Sequence, residues 1–137
     1  MPLFSQYPAF IMRKTEKIRE NYIFRRLYRR GKSLVSPCIV LYYQKIKGRS
    51  LNRLGITATK KVGKAHRRNR ARRVILESYR LLEERVGEGY DFVIVARSRA
   101  ANVKMQAVKN ELEGLLSKMG GINTSNTSQS SRQKDKS

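Results

Sequence analysis

The chain has 137 residues, 39% of them hydrophobic, which is enough for one domain with a modest core, and it carries 31 Lys and Arg against 10 Asp and Glu. The formal net charge of +21 far exceeds what solubility requires and implies a polyanionic partner. No stretch approaches twenty apolar residues, which excludes a spanning helix, and the single cysteine, Cys38, excludes intrachain disulfides and multi-cysteine zinc sites.

The charge is concentrated. No Asp or Glu occurs between Glu20 and Glu77, an interval that holds 17 Lys and Arg. One face of the folded domain is therefore expected to be strongly positive with little self-neutralisation, and nucleic acid is the leading partner. A membrane surface is the rival polyanion, but the longest apolar runs have strand length.

In chain order, residues 1–13 open apolar without a basic segment ahead of them, which reads poorly as a secretory signal and is expected to be a flexible N-terminal extension. The first periodic segment spans residues 20–30. Ile23, Phe24, Leu27 and Tyr28 share one helical face, Arg25, Arg26, Arg29 and Arg30 lie elsewhere, and Gly31 stands where the helix should stop. Residues 34–46 are β-rich, with apolar positions on both sides and Pro37 breaking or bulging the start. Cys38 falls in this run and is expected to be a buried, unreactive thiol in a reducing compartment such as the cytoplasm. After the glycine-containing turn at residues 47–50, residues 53–59 alternate as a second strand, and the two strands are expected to pair as a hairpin.

Gly63 then precedes a long helix over residues 64–85, whose Ala71, Ile75, Tyr79, Leu82 and Val86 form a stripe that must be buried. Residues 92–96 have the nearly continuous apolar character of a central strand, and Asn102 is expected to cap a last helix running to residue 118, with Val108, Leu112, Leu115 and Leu116 inward. Residues 120–137 are polar and are expected to form a disordered tail, leaving 14–119 as the domain. Helix, strands, helix, strand, helix makes an α/β sandwich of one small mixed sheet flanked by helices.

Residues 60–73 carry eight basic residues and no acid in fourteen positions. On a helix Arg68 and Arg72 are one turn apart, as are Asn69 and Arg73, so like charges repel along one surface, a cost that a bound polyphosphate would reverse. Gly63 allows a tight turn whose free N–H groups, at a positive helix end beside Lys60, Lys61 and Lys64, favour phosphate.

The segment Lys60-Lys61-Val62-Gly63-Lys64-Ala65, followed by Arg68-Asn69-Arg70 and Arg72-Arg73, resembles the signature of the bacterial ribonuclease P protein family, Lys-x-x-Gly-x-Ala-x-x-Arg-Asn-x-x-(Lys/Arg)-Arg. The similarity extends over residues 14–118, through the aromatic helix ending at Gly31, Ile39-Val40-Leu41-Tyr42, Leu54-Gly55-Ile56-Thr57 and Asp91-Phe92-Val93-Ile94-Val95-Ala96-Arg97. Departures are mild: His66 stands where an apolar residue is usual, Arg72 where Lys is common, and Ser98 where Pro often follows the Ala-Arg pair.

The resemblance implies an αβββαβα order in which the motif helix joins two parallel strands through a left-handed crossover, against the usual hand. It implies that Lys64, Arg67, Arg68, Asn69, Arg70, Arg72 and Arg73 meet ribonuclease P RNA. It further implies that a separate cleft lined by Phe24, Tyr28 and Tyr42, with Lys60 and Lys61 near its end, receives the single-stranded 5′ leader of precursor tRNA. Aromatic stacking beside a positive groove suits single strands, at about 1–3 kcal/mol per stacked base. Without the resemblance, Phe24 and Tyr28 fit a core stripe at least as well.

Protein nucleases use paired general acids and bases or carboxylate-held metals. One histidine, His66, set among cations, and an acid-free basic region do not supply these. The expectation is a protein with no catalytic residues and no metal or cofactor of its own, in a 1:1 complex as a monomer with an RNA whose bound Mg2+ performs the hydrolysis that removes the leader. Composition alone would suit a basic ribosomal or other structural RNA-binding protein equally well; the motif favours the ribonuclease P subunit.

Overall fold

The computed structural model describes residues 12–122. Five strands form one mixed sheet in the order β1-β4-β5-β3-β2: β1 (Thr15–Lys17), β2 (Lys32–Val35), β3 (Ile39–Lys45), β4 (Asn52–Ala58) and β5 (Tyr90–Ala96). Three α-helices accompany them: α1 (Asn21–Arg30), α2 (Ala65–Leu82) and α3 (Met105–Lys118). The order is thus βαβββαβα, one short strand longer than expected at its start.

β5 takes the centre because Phe92, Val93, Ile94 and Ala96 are all buried, so both of its faces need cover. It runs antiparallel to β3 and parallel to β4. The expected hairpin between residues 34–46 and 53–59 is therefore not formed; β5 lies between those strands. The connecting loop passes under the start of β5 instead, with the Ile46 N–H donating to Gly89 O at 2.7 Å and Arg49 to Tyr90 O at 3.3 Å. β3 finds its hairpin partner upstream. Residues 34–46 divide at Ser36-Pro37-Cys38 into β2 and β3, and Glu111 of α3 closes that turn by accepting from Ser36 Oγ at 2.6 Å and the Cys38 N–H at 2.8 Å. Burial, with Glu111 beside it, pushes the Cys38 thiol up to about 11.

The larger core lies between one sheet face and α2 with α3. The stripe Ala71, Ile75, Tyr79, Leu82 and Val86 is buried there, facing Val108, Leu112, Leu115 and Leu116. A smaller core on the opposite face packs Ile23 and Leu27 of α1 onto Val93. Two helix ends differ from expectation. α2 stops at Leu82 and tightens into a 3-10 turn, Glu83–Arg85, whose buried Glu83 carboxylate accepts the Arg13 and Lys14 N–H groups and so anchors the approach to β1. Asn102 does not cap α3: a 3-10 turn, Ser98–Ala101, precedes it, and Lys104 occupies the cap. Buried Ala100 and Ala101, with Arg70 donating to Ala101 O and Val103 O, hold that segment against α2.

Both boundaries of the packed region lie slightly outside 14–119, since Met12 packs against the larger core and Ile122 bridges to Val86. Residues 1–11 and 123–137, most of the expected extension and tail, lie outside the described residues. Among the described residues no helix is long and apolar enough to cross a membrane.

Candidate nucleic-acid interface

β4 ends at Ala58, and Thr59 starts a 3-10 turn, Lys60–Val62, by accepting the Lys61 N–H on its hydroxyl. Val62 is buried, so the turn is pinned to the core while Lys60 and Lys61 face solvent. Gly63 follows at φ +136°, a conformation that side chains avoid, and a Cβ there would also meet Arg67 within 2.6 Å. α2 then begins with Lys64 at its cap.

The motif cations divide by what they touch. Arg67 Nε donates to Val62 O at 3.1 Å and Arg68 Nη1 to Gly63 O at 2.8 Å, so these two fold back and brace the turn. Arg70 ties α2 to the segment before α3. Arg72 Nη2 donates to Asn69 Oδ1 at 2.6 Å, fixing the orientation of that amide on the surface. Lys64, His66, Asn69, Arg70 and Arg73 are exposed. The ion pairs Glu77–Arg80, Arg85–Glu113 and Lys109–Glu113 all lie beyond the motif, so acids neutralise the far half of the helical layer and leave its start positive.

On the opposite sheet face, α1 covers only part of the surface. Phe24 packs over Gly55, where a Cβ would come within 2.6 Å of its ring, and against the smaller core. Tyr28, 44% exposed, meets Tyr42 of β3 edge to face at 4.9 Å. Beyond Tyr42 the sheet is open: Val40, Val95 and Thr57, side by side across β3, β5 and β4, are each partly exposed. Val95 also floors an open depression of about 710 Å³ whose walls include Thr59, Lys60, Lys61, Arg97 and Ser98. The register sets Val95, the floor of that depression, beside Val40, which lies two residues from Tyr42 on the same face, so an aromatic edge, an apolar strip and a cationic end follow one another along a trough.

The structure therefore brings Tyr28 and Tyr42 together and sets Lys60 and Lys61 at the end of the same face, while Phe24, partly exposed, packs against the smaller core as Tyr42 does. The motif residues of α2 lie along a separate element. Sequence reasoning missed Val95 and Arg97 as parts of the trough, and Gly55 as the seat of Phe24, although all three fall in segments that carry the resemblance. It also missed the group that seats α1: Asp91, fully buried, accepts from Arg26 Nη2 at 2.8 Å, from Arg53 Nε at 3.0 Å and from Arg49. Burial alone would raise the Asp91 pKa, but hydrogen bonds from Arg53 and Arg49 outweigh it and hold the carboxyl below its usual range. Among the described residues no three His, Cys, Asp or Glu come together to hold a metal ion.

A small α/β domain with a basic helix start and a trough combining tyrosines with lysines has the construction of an RNA-binding protein. Comparison with known proteins gives the family: the ribonuclease P family model matches residues 12–120. A ribonuclease P protein component from Clostridium botulinum is 45% identical over 111 residues, covering 80% of this chain and 99% of that relative. The Staphylococcus aureus RNase P protein structure superimposes with a TM-score of 0.70 at 30% identity, covering 78% of this chain and 97% of that one. The Thermotoga maritima RNase P protein gives 0.66 at 31% identity, covering 74% and 94%. The chain belongs to the ribonuclease P protein family, and with it goes the role of protein component in an RNA–protein endoribonuclease.

Proposed function

We propose that this chain holds the single-stranded 5′ leader of precursor tRNA in the trough on the α1 face of the sheet, while the motif helix α2 lies against ribonuclease P RNA. The observation that carries this reading is the succession, along one sheet face, of the Tyr28–Tyr42 edge, the partly exposed Val40 and Val95, and the depression flanked by Lys60 and Lys61. Tyrosine faces accept any base, lysines neutralise the backbone, and neither reads sequence, which suits a subunit that serves many precursors. Lys64, Asn69 and Arg73 are the motif groups most available to the partner RNA, with Arg67, Arg68, Arg70 and Arg72 shaping the surface from which they project and adding their charge to it.

In this reading the RNA performs the hydrolysis with its own bound Mg2+, and the protein contributes no catalytic side chain. Its part is electrostatic: two polyanions approach each other across a domain that lowers their mutual repulsion, and the leader is fixed near the cleavage point. In this reading one copy of the chain joins one RNA in the cytoplasm, a reducing compartment that suits a lone, buried cysteine such as Cys38.

The test is reconstitution with a bacterial ribonuclease P RNA at low magnesium, scoring leader cleavage with and without the protein. Cleavage is expected to rise when the protein is added, and the protein alone is expected to leave the precursor intact. Unchanged processing by the RNA, or cleavage by the protein alone, would overturn the reading.

A further inference from the structure

A second basic hollow lies at the opposite end of the sheet from Lys60 and Lys61. β2 begins at Lys32, opposite Tyr43, so Gln44 and Lys45 have β5 on one side and an open edge on the other. Unpaired strand edges present backbone donors and acceptors to whatever approaches. The gap is a notch of about 340 Å³ into which three elements deliver cations: Arg30 from the end of α1, Lys32 from β2 and Lys45 from β3. None of its lining residues is acidic.

Its wall also carries aromatic rings. Tyr90 lines the notch and stacks on Phe92 at 5.3 Å with the planes 20° apart, so its ring is held rigidly by the core. The Lys45 ammonium sits over the Tyr90 ring, 4.8 Å from its centroid, and donates to Glu88 O at 2.6 Å, so the cation is fixed and the ring offers its edge to the notch. Gln44 also borders the notch, although alternation along β3 sets its side chain on the face of its partner Asp91, away from Tyr90.

We infer that this notch is a second single-stranded RNA site, taking one nucleotide with its phosphate among Arg30, Lys32 and Lys45 and its base or ribose against Tyr90. Cations converging on an apolar, aromatic wall recognise a nucleotide unit better than they recognise a duplex backbone, which would need only the charges. β5 runs from Tyr90 at the notch to Ala96 at the trough, so on the order of 20 Å separates the two sites. A single RNA strand, or two segments of a folded one, can engage both. The inference rests on this chain being an RNA-binding subunit but adds a site remote from both the trough and the motif helix.

The experiment measures binding of a fluorescently labelled, unstructured 12-nucleotide RNA to the full chain across a salt series. The proteins compared are the wild type, the double variant Lys32→Ala with Lys45→Ala, the charge-keeping double variant Lys32→Arg with Lys45→Arg, and Lys60→Ala with Lys61→Ala. Circular dichroism melting shows that each is folded. The notch alanine variant is expected to lose affinity several-fold and to show a log–log salt slope shallower by about 0.7 for each phosphate released, while the arginine variant keeps both. The losses from the notch and from Lys60 and Lys61 should combine when the four alanine changes are made together. If the folded notch alanine variant keeps the wild-type affinity and slope, the inference is wrong even though the wild type binds RNA. Should the wild type itself fail to bind, the RNA-binding reading falls with it.

Discussion

The ring of Phe24 rests on Gly55 so closely that a methyl group at that position would lie 2.6 Å from both Cε1 and Cζ. This is how α1 reaches the sheet: the absent side chain of β4 makes room for the aromatic residue of the helix, and Tyr28, one turn on, is thereby brought to Tyr42. Gly55→Ala should push α1 outward. The expected cost is about 1–3 kcal/mol of overpacking, read by urea denaturation, and affinity for leader-bearing precursor should fall with it. Wild-type stability and leader affinity in that variant would show that the contact does not seat the helix.

Tyr28 separates binding from packing better than Phe24 does, because it is 44% exposed while Phe24 belongs to the smaller core. Tyr28→Ala is expected to leave the melting transition nearly unchanged and to weaken binding of leader-bearing precursor by about 1–3 kcal/mol, with little effect on mature tRNA. Equal losses for the two RNAs, measured in the reconstituted complex, would remove Tyr28 from the leader site.

Asp91 links stability to pH. Its carboxyl is held below the ordinary value of 3.8 in the folded state, chiefly by Arg53 and Arg49 acting against burial. Its contribution is therefore complete above about pH 4 and is lost as the pH falls through the lower, folded value. Glu111, lowered by Ser36 and Cys38 against its own desolvation, acts in the same direction. Chemical denaturation between pH 7 and pH 3 should show stability decreasing below about pH 4. Asp91→Asn should remove part of that dependence and cost about 3 kcal/mol at neutral pH, because partly buried guanidinium groups lose their counter-charge.

Gly63 tests the turn that launches the motif helix. Its φ of +136° and the adjacent Arg67 side chain leave no room for a Cβ, so Gly63→Ala should cost about 1–3 kcal/mol and disturb the Arg67 and Arg68 braces. Binding to ribonuclease P RNA should weaken more than binding of a short single strand to the trough. A variant with unchanged stability would contradict the strain argument.

What could be read directly from residue order was local and periodic: the α1 face of Ile23 and Leu27, the buried stripe from Ala71 to Val86, the central character of residues 92–96 and the acid-free motif with its glycine. Helix period, strand period and charge depend on neighbours along the chain, so they survive without coordinates. Strand partnership does not. Residues 39–45 and 52–58 are consecutive strands in the chain, but β5 enters between them because a strand apolar on both faces gains more from the centre than a short loop gains from closing a hairpin. The same long-range choice brought Arg26, Arg49 and Arg53 to Asp91, placed Tyr28 against Tyr42, and left the open edge at Gln44 and Lys45. Such groupings join residues tens of positions apart through packing, and packing is a property of the whole fold.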